Sequence, residues 1–161
     1  MENLEILINP YEDPKYAEAI IDVLDSYARD PMGGAEALGD YTRENLIAEL
    51  KKRDWAVCFL ALLGDDPVGL LIAMEGFSTF ASRPLMNIHD VGVVPGHRGR
   101  GIGTALFAAV EAEAIKRGCC KMTLEVLSGN ERAIKVYKGL GYLPYELHPE
   151  IGTAQFWEKK L

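Results

Sequence analysis

The residues best suited to chemistry lie in one run, Val91-Gly92-Val93-Val94-Pro95-Gly96-His97-Arg98-Gly99-Arg100-Gly101-Ile102-Gly103-Thr104. Its first part is apolar and β-branched, which reads as a strand, and Pro95 and Gly96 stop it. Gly99, Gly101 and Gly103 then alternate with Arg98, Arg100 and Ile102, and Ala105 to Ala114 is strongly helix-forming. A strand, a basic glycine turn and a helix N-terminus make an anion cradle. N–H groups converge there, the helix dipole favours negative charge, and glycine lets an anion come close. The predicted ligand carries phosphate, anchored by Arg98 through Gly103 with Thr104 as a hydroxyl donor. Upstream, the strand Asn87-Ile88-His89-Asp90-Val91 places His89 and Asp90 on opposite faces by simple alternation. Imidazole exchanges protons near neutrality, which suits a general base. Downstream, Tyr137 follows Asn130 by seven positions, two turns along one helix face.

Spacing narrows the phosphate ligand. A Walker loop needs Lys-Ser/Thr after its last glycine, but Gly101 is followed by Ile102-Gly103. A dinucleotide fingerprint starting at Gly99 needs a glycine where Thr104 stands, and belongs to the first strand–helix unit of an alternating fold. The pattern Arg-x-x-Gly-x-Gly, met by Arg98, Gly101 and Gly103, resembles the acyl-coenzyme-A pyrophosphate loop of the GNAT superfamily of N-acetyltransferases. A more specific phrase follows at Asn130-Glu131-Arg132-Ala133-Ile134-Lys135-Val136-Tyr137-Lys138-Gly139-Leu140-Gly141-Tyr142. It looks like the Asn…Tyr helix of the superfamily's diamine and polyamine N-acetyltransferases.

The resemblance implies an acetyl-coenzyme-A co-substrate, no metal, and direct attack by an amine in a ternary complex. It implies that the pantetheine arm pairs with the backbone of Val91, Gly92 and Val93, in a gap where that strand splays from the next. Gly92 in mid-strand fits a bulge or a close ligand approach, or else a packing contact with a helix beneath. An amine of pKa roughly 10 must lose a proton before it attacks. His89 stands where relatives place a base and is preferred; Asp90 is the alternative. Tyr137 stands where the family sets a hydroxyl against the coenzyme sulfur, as the acid for the departing thiolate. Asn130 contacts the pantetheine or caps its own helix.

The elements that must position these residues follow from the rest of the chain. Leu4 to Ile8 reads as a strand, and Asp13-Pro14 opens a helix as N-cap and first residue. Asp30 to Asp40 is a loop, and Thr42-Arg43-Glu44-Asn45 leads into a second helix ending at Arg53. Trp55–Leu63 and Val68–Met74 form a hairpin around Gly64-Asp65-Asp66-Pro67, and Leu85–Val94 is the next strand. Lys121 to Val126 is a strand, Asn130 to Leu140 a helix, and Gln155-Phe156-Trp157-Glu158 a final strand. The order β-α-α-β-β-β-α-β-α-β predicts an α/β fold with a mixed sheet and helices on both faces, the GNAT order. One domain over residues 1–161 is expected.

Composition agrees with such an enzyme. The 161 residues are 48% hydrophobic and 25% charged, ordinary for a soluble globular protein. A net charge of −7 argues against a nucleic-acid partner, and no apolar run reaches the roughly 20 residues of a membrane span. Cys58, Cys119 and Cys120 form no disulfide framework or metal spacing, and a reducing cytoplasm suits them. The expected acceptor is the primary amine of a small molecule, walled by the Asp30–Asp40 loop and the Ser78–Pro84 connector. Acetylation of a protein N-terminus or lysine, or acyl-coenzyme-A binding without turnover, are the alternatives. Monomer and homodimer are both left open.

Overall fold

A computed structural model describes residues 3–146, 148 and 150–161. The chain forms two compact units, Met1–Leu124 and Glu125–Leu161. The first holds β1 (Leu4–Ile8), α1 (Pro14–Ala28), α2 (Asp40–Lys51), β2 (Ala56–Leu63), β3 (Asp66–Ser78), β4 (Arg83–Val93), α3 (Ile102–Lys116) and β5 (Met122–Leu124). Its sheet runs in chain order, β1-β2-β3-β4-β5. Neighbours are antiparallel except β4 and β5, which α3 joins as a crossover and which are therefore parallel.

Helices cover both faces of this sheet, so its central strands lose the polar alternation of a one-sided sheet. Ala56 to Leu62 are all buried. Cys58, Leu60 and Leu62 join Ile20, Val23 and Leu24 of α1 and Leu50 of α2 in one cluster. The opposite face is closed by α3, whose Ile102, Leu106, Phe107, Val110 and Ala114 are buried. Each large aliphatic removed from water here is worth about 1.5–3 kcal/mol. Burial also pushes the Cys58 thiol well above its ordinary range, which makes it a core group rather than a nucleophile.

Several boundaries differ from expectation. Helix α2 starts at Asp40, ahead of Thr42, because Gly39 serves as N-cap and the Asp40 carboxylate suits the first turn. Strands β3 and β4 stay paired as far as Ser78 and Arg83, so the expected Ser78–Pro84 connector shrinks to a tight turn over residues 79–82.

The second unit contains α4 (Glu131–Gly139). The Asn130 side chain caps it by accepting from the Ala133 N–H at 3.1 Å. At its end Gly141 turns left-handed and the Tyr142 N–H reaches the Tyr137 carbonyl at 2.9 Å, which stops the helix. The expected strand at 155–158 is not formed, and the order among the described residues ends with α4. Phe156 and Trp157 are adjacent and both mostly exposed, whereas a strand would send them to opposite faces. Among the described residues, no helix is long and apolar enough to cross a membrane.

Candidate active site

The glycine turn is shaped by backbone conformation. Gly96, Gly99 and Gly101 have φ of +90°, +78° and +82°, and a Cβ on any of them would meet nothing within 4 Å. Left-handed geometry, not crowding, requires glycine there, and the space above the turn stays open. Gly101 is the N-cap of α3 and no side chain caps that end. The helix's hydrogen bonding starts with the Ala105 N–H on the Gly101 carbonyl, at 3.0 Å. The N–H groups of Ile102, Gly103 and Thr104 are therefore the open donors of the first turn, at the positive end of a 15-residue helix. That arrangement fits a phosphate group. Gly103 belongs to the helix rather than to the turn. The Arg98 side chain is committed to the protein: Nε donates to the Val93 carbonyl at 3.0 Å and Nη2 to Asp30 Oδ2 at 2.8 Å.

Strand β4, which leads into this turn, carries an irregularity. Ile72 of β3 faces Asp90 and the next residue, Ala73, faces Ile88, so His89 is the extra residue of a bulge. The strict alternation expected for His89 and Asp90 is interrupted at that point; His89 is exposed and Asp90 half-buried. Gly92, the position the sequence offered for a bulge, stays in register opposite Leu70. A Cβ on it would lie 2.9 Å from Tyr27 Cβ, so this glycine makes room for the last turn of α1. β5 pairs with β4 only from Met86 to Ile88. From His89 to Val93 no strand among the described residues pairs with that edge of β4.

The electrostatics concentrate on the same stretch. Burial raises the Asp90 carboxyl above its ordinary range, and the neighbouring His89 draws it partly back. Burial also raises the Tyr27 phenol, with the negative charges of Asp90 and then Asp30 adding to it. Tyr27 thus stays protonated near two carboxylates. Tyr27 was not singled out from the sequence; the mid-strand Gly92 was the signal that something large packs against β4. In the second unit, Asn130 caps α4 and the Tyr137 and Tyr142 rings lie 6.2 Å apart at 59°. The structure therefore places His89, Asp90, Val91, Gly92, Val93, Arg98, Gly99, Arg100, Gly101, Ile102, Gly103 and Thr104 along one strand–turn–helix, and Asn130 and Tyr137 on one short helix. Among the described residues, no group of three or more His, Cys, Asp or Glu side chains is placed to hold a metal ion.

The acetyltransferase (GNAT) family profile matches residues 18–142, and the chain belongs to that family. Thialysine N-epsilon-acetyltransferase of Mus musculus is 38% identical over 65 residues, covering 40% of this chain and 38% of that protein. An uncharacterised N-acetyltransferase of Methanocaldococcus jannaschii is 38% identical over 94 residues, covering 58% of this chain and 42% of that protein. The chain thus spans about two fifths of the length of the curated relatives it matches. Its fold is similar to that of the aminoglycoside N-acetyltransferase AAC(6')-Iy bound to the bisubstrate analog CoA-S-monomethyl-acetylneamine. The TM-score is 0.78 at 19% identity, over 99% of each chain.

Proposed function

We propose that the protein transfers the acetyl group of acetyl-coenzyme A to the primary amine of a small molecule, by direct attack in a ternary complex. One observation carries the reading: β4, bulged at His89 against β3 and unpaired by a strand beyond Ile88 on its β5 side, leads through the glycine turn to the uncapped N-terminus of α3. The N–H groups of Ile102, Gly103 and Thr104 hold the pyrophosphate, helped by the turn from Arg98 to Gly101. The open edge at Val91, Gly92 and Val93 takes the pantetheine arm as an added strand. When bound, the coenzyme supplies an activated thioester. His89, exposed at the bulge, takes the ammonium proton, with Asp90 beside it as the alternative base. The Tyr137 hydroxyl protonates the leaving thiolate, and Asn130 fixes the start of its helix. The names of the relatives support a small-amine acceptor. The family match crosses the junction at residue 124, which supports reading the two units as one domain. A cytoplasmic location suits the free thiols of Cys58, Cys119 and Cys120.

The test is release of free coenzyme thiol across a panel of diamines, thialysine, aminoglycosides and N-terminal peptides. Turnover confined to peptides overturns the acceptor assignment, and coenzyme binding with no turnover on any amine overturns the enzyme. Tyr137→Phe is expected to lower kcat by roughly ten- to ten-thousand-fold and leave the coenzyme A dissociation constant within about threefold. The ascending limb of kcat/KM against pH is expected to vanish in His89→Ala and persist in Asp90→Ala. The reverse pattern exchanges their roles.

A further inference from the structure

We propose that Asp30 is a positioning residue for this transfer: through Arg98 it fastens the glycine turn and the end of β4 to the connection between α1 and α2. The inference rests on the acetyltransferase reading, in which that turn holds the coenzyme and that connection walls the acceptor.

The connection is wound around Asp30. Its backbone carbonyl accepts from the N–H groups of Gly33 at 2.7 Å and Ala35 at 3.1 Å. Its Oδ1 accepts from the Met32 N–H at 2.9 Å. Further along, the Glu36 N–H bonds the Ala28 carbonyl at 3.2 Å and the Leu38 N–H bonds Asp25 Oδ1 at 2.8 Å. A connection of glycine-rich composition is thereby held against the last turns of α1.

Asp30 Oδ2 then reaches across 68 residues of sequence to Arg98 Nη2, at 2.8 Å. The same guanidinium donates from Nε to the carbonyl of Val93, the last residue of β4. Both side chains are mostly shielded, with 34% of Arg98 and 20% of Asp30 exposed. One planar fork thus spans three segments: the α1–α2 connection, the end of the strand and the glycine turn that carries Arg98. A lysine ammonium has no such fork. Arg98 is the first residue of the Arg-x-x-Gly-x-Gly pattern. Its geometry assigns it to fixing the turn, so that phosphate meets backbone N–H groups whose positions are already set. Two ligand-facing segments tied in this way must influence one another equally in both directions.

The experiment measures coenzyme A binding by calorimetry to the wild type, Asp30→Asn, Asp30→Glu, Arg98→Lys and the double variant Asp30→Asn/Arg98→Lys, with Tm recorded for each. Hydrogen exchange of the Met32, Gly33 and Ala35 amides is followed with and without coenzyme A. Asp30→Asn and Arg98→Lys are each expected to weaken coenzyme binding by about three- to tenfold. The double variant should be no weaker than the worse single, because both remove one link. Asp30→Glu should restore most of the affinity. Coenzyme A should slow exchange at the three amides in the wild type and not in Asp30→Asn. Unchanged or tighter binding by Asp30→Asn, or losses that add in the double variant, overturns the proposal. A uniform effect that merely follows Tm also overturns it. A wild type that does not bind coenzyme A overturns the acetyltransferase reading as well, whereas a binding wild type with an indifferent Asp30→Asn overturns this inference alone.

Discussion

Two connectors flank the candidate active site, and both depend on glycine for opposite reasons. In the α1–α2 connection, Gly33 has no left-handed φ, but a Cβ on it would lie 2.0 Å from the Tyr27 carbonyl oxygen. In the turn before α3, Gly96, Gly99 and Gly101 are left-handed and face open space. At Gly33 the first connector uses glycine so that protein can pack against protein. The second uses it to aim backbone N–H groups outward and leave the volume above them free. A packed wall beside an open turn suits the proposed two-substrate transfer, in which one side must hold a shape and the other must admit a large polyanion.

The sharpest way to break the contrast is to add one methyl group to each glycine class. Gly33→Ala is expected to cost the most stability, roughly 3 kcal/mol or more, because the obstacle is backbone that must move. For a chain of this size that lowers Tm by about 6–12 °C, read by thermal unfolding. Gly92→Ala comes next, at about 1–3 kcal/mol, because its obstacle is the Tyr27 side chain at 2.9 Å. Combining it with Tyr27→Ala should cost less than the sum of the two singles, and strict additivity would break the contact assignment.

Gly101→Ala should cost less again, about 1–2 kcal/mol of left-handed strain, since nothing crowds the added methyl. Its larger effect should fall on function. The KM for acetyl-coenzyme A should rise well above wild type while that for the acceptor changes little. If Gly101→Ala destabilises as much as Gly33→Ala while leaving coenzyme affinity intact, the two connectors are not different in kind.

The contrast also shows what the sequence made legible. The turn could be read because its requirements are local: a stop at Pro95-Gly96, glycines at left-handed positions and a helix-forming run after them. The same holds for Asp13-Pro14, where Asp13 accepts from the Lys15 N–H at 2.9 Å and opens α1 as expected. The bulge at His89 was not legible. The apolar–polar alternation from Met86 to His89 breaks at Asp90, which marks an irregularity, but which residue loops out is fixed by register against β3, which the sequence of β4 does not encode. Gly92 answers to Tyr27, and Asp30 to Arg98, partners that lie 65 and 68 positions away. The strand expected at 155–158 failed for a related reason, because a strand is defined by its partner rather than by its own composition.

The smallest expected effect separates two carboxylates of the first unit. Asp25 accepts from Arg29 Nε and from the Leu38 N–H, and these bonds hold its carboxyl below the ordinary range. Its contribution is present at neutral pH and is lost as pH falls through that lowered value. Asp90 is the opposite case, since burial at the bulge raises its carboxyl above the ordinary range. Its contribution is fully present below the unfolded value, about 3.9 for Asp, and is lost as pH rises through the folded value. Asp90→Asn, which keeps the shape and removes the charge, should therefore stabilise the protein at neutral pH, and the gain should shrink as pH falls through that window. Asp25→Asn should destabilise at neutral pH, with the loss fading in acid. Thermal unfolding of the two variants from pH 3 to 8 reads both slopes. Parallel slopes would mean that Asp90 is held charged by a partner, as Asp25 is, and would remove the reason for treating it as a poised group beside His89.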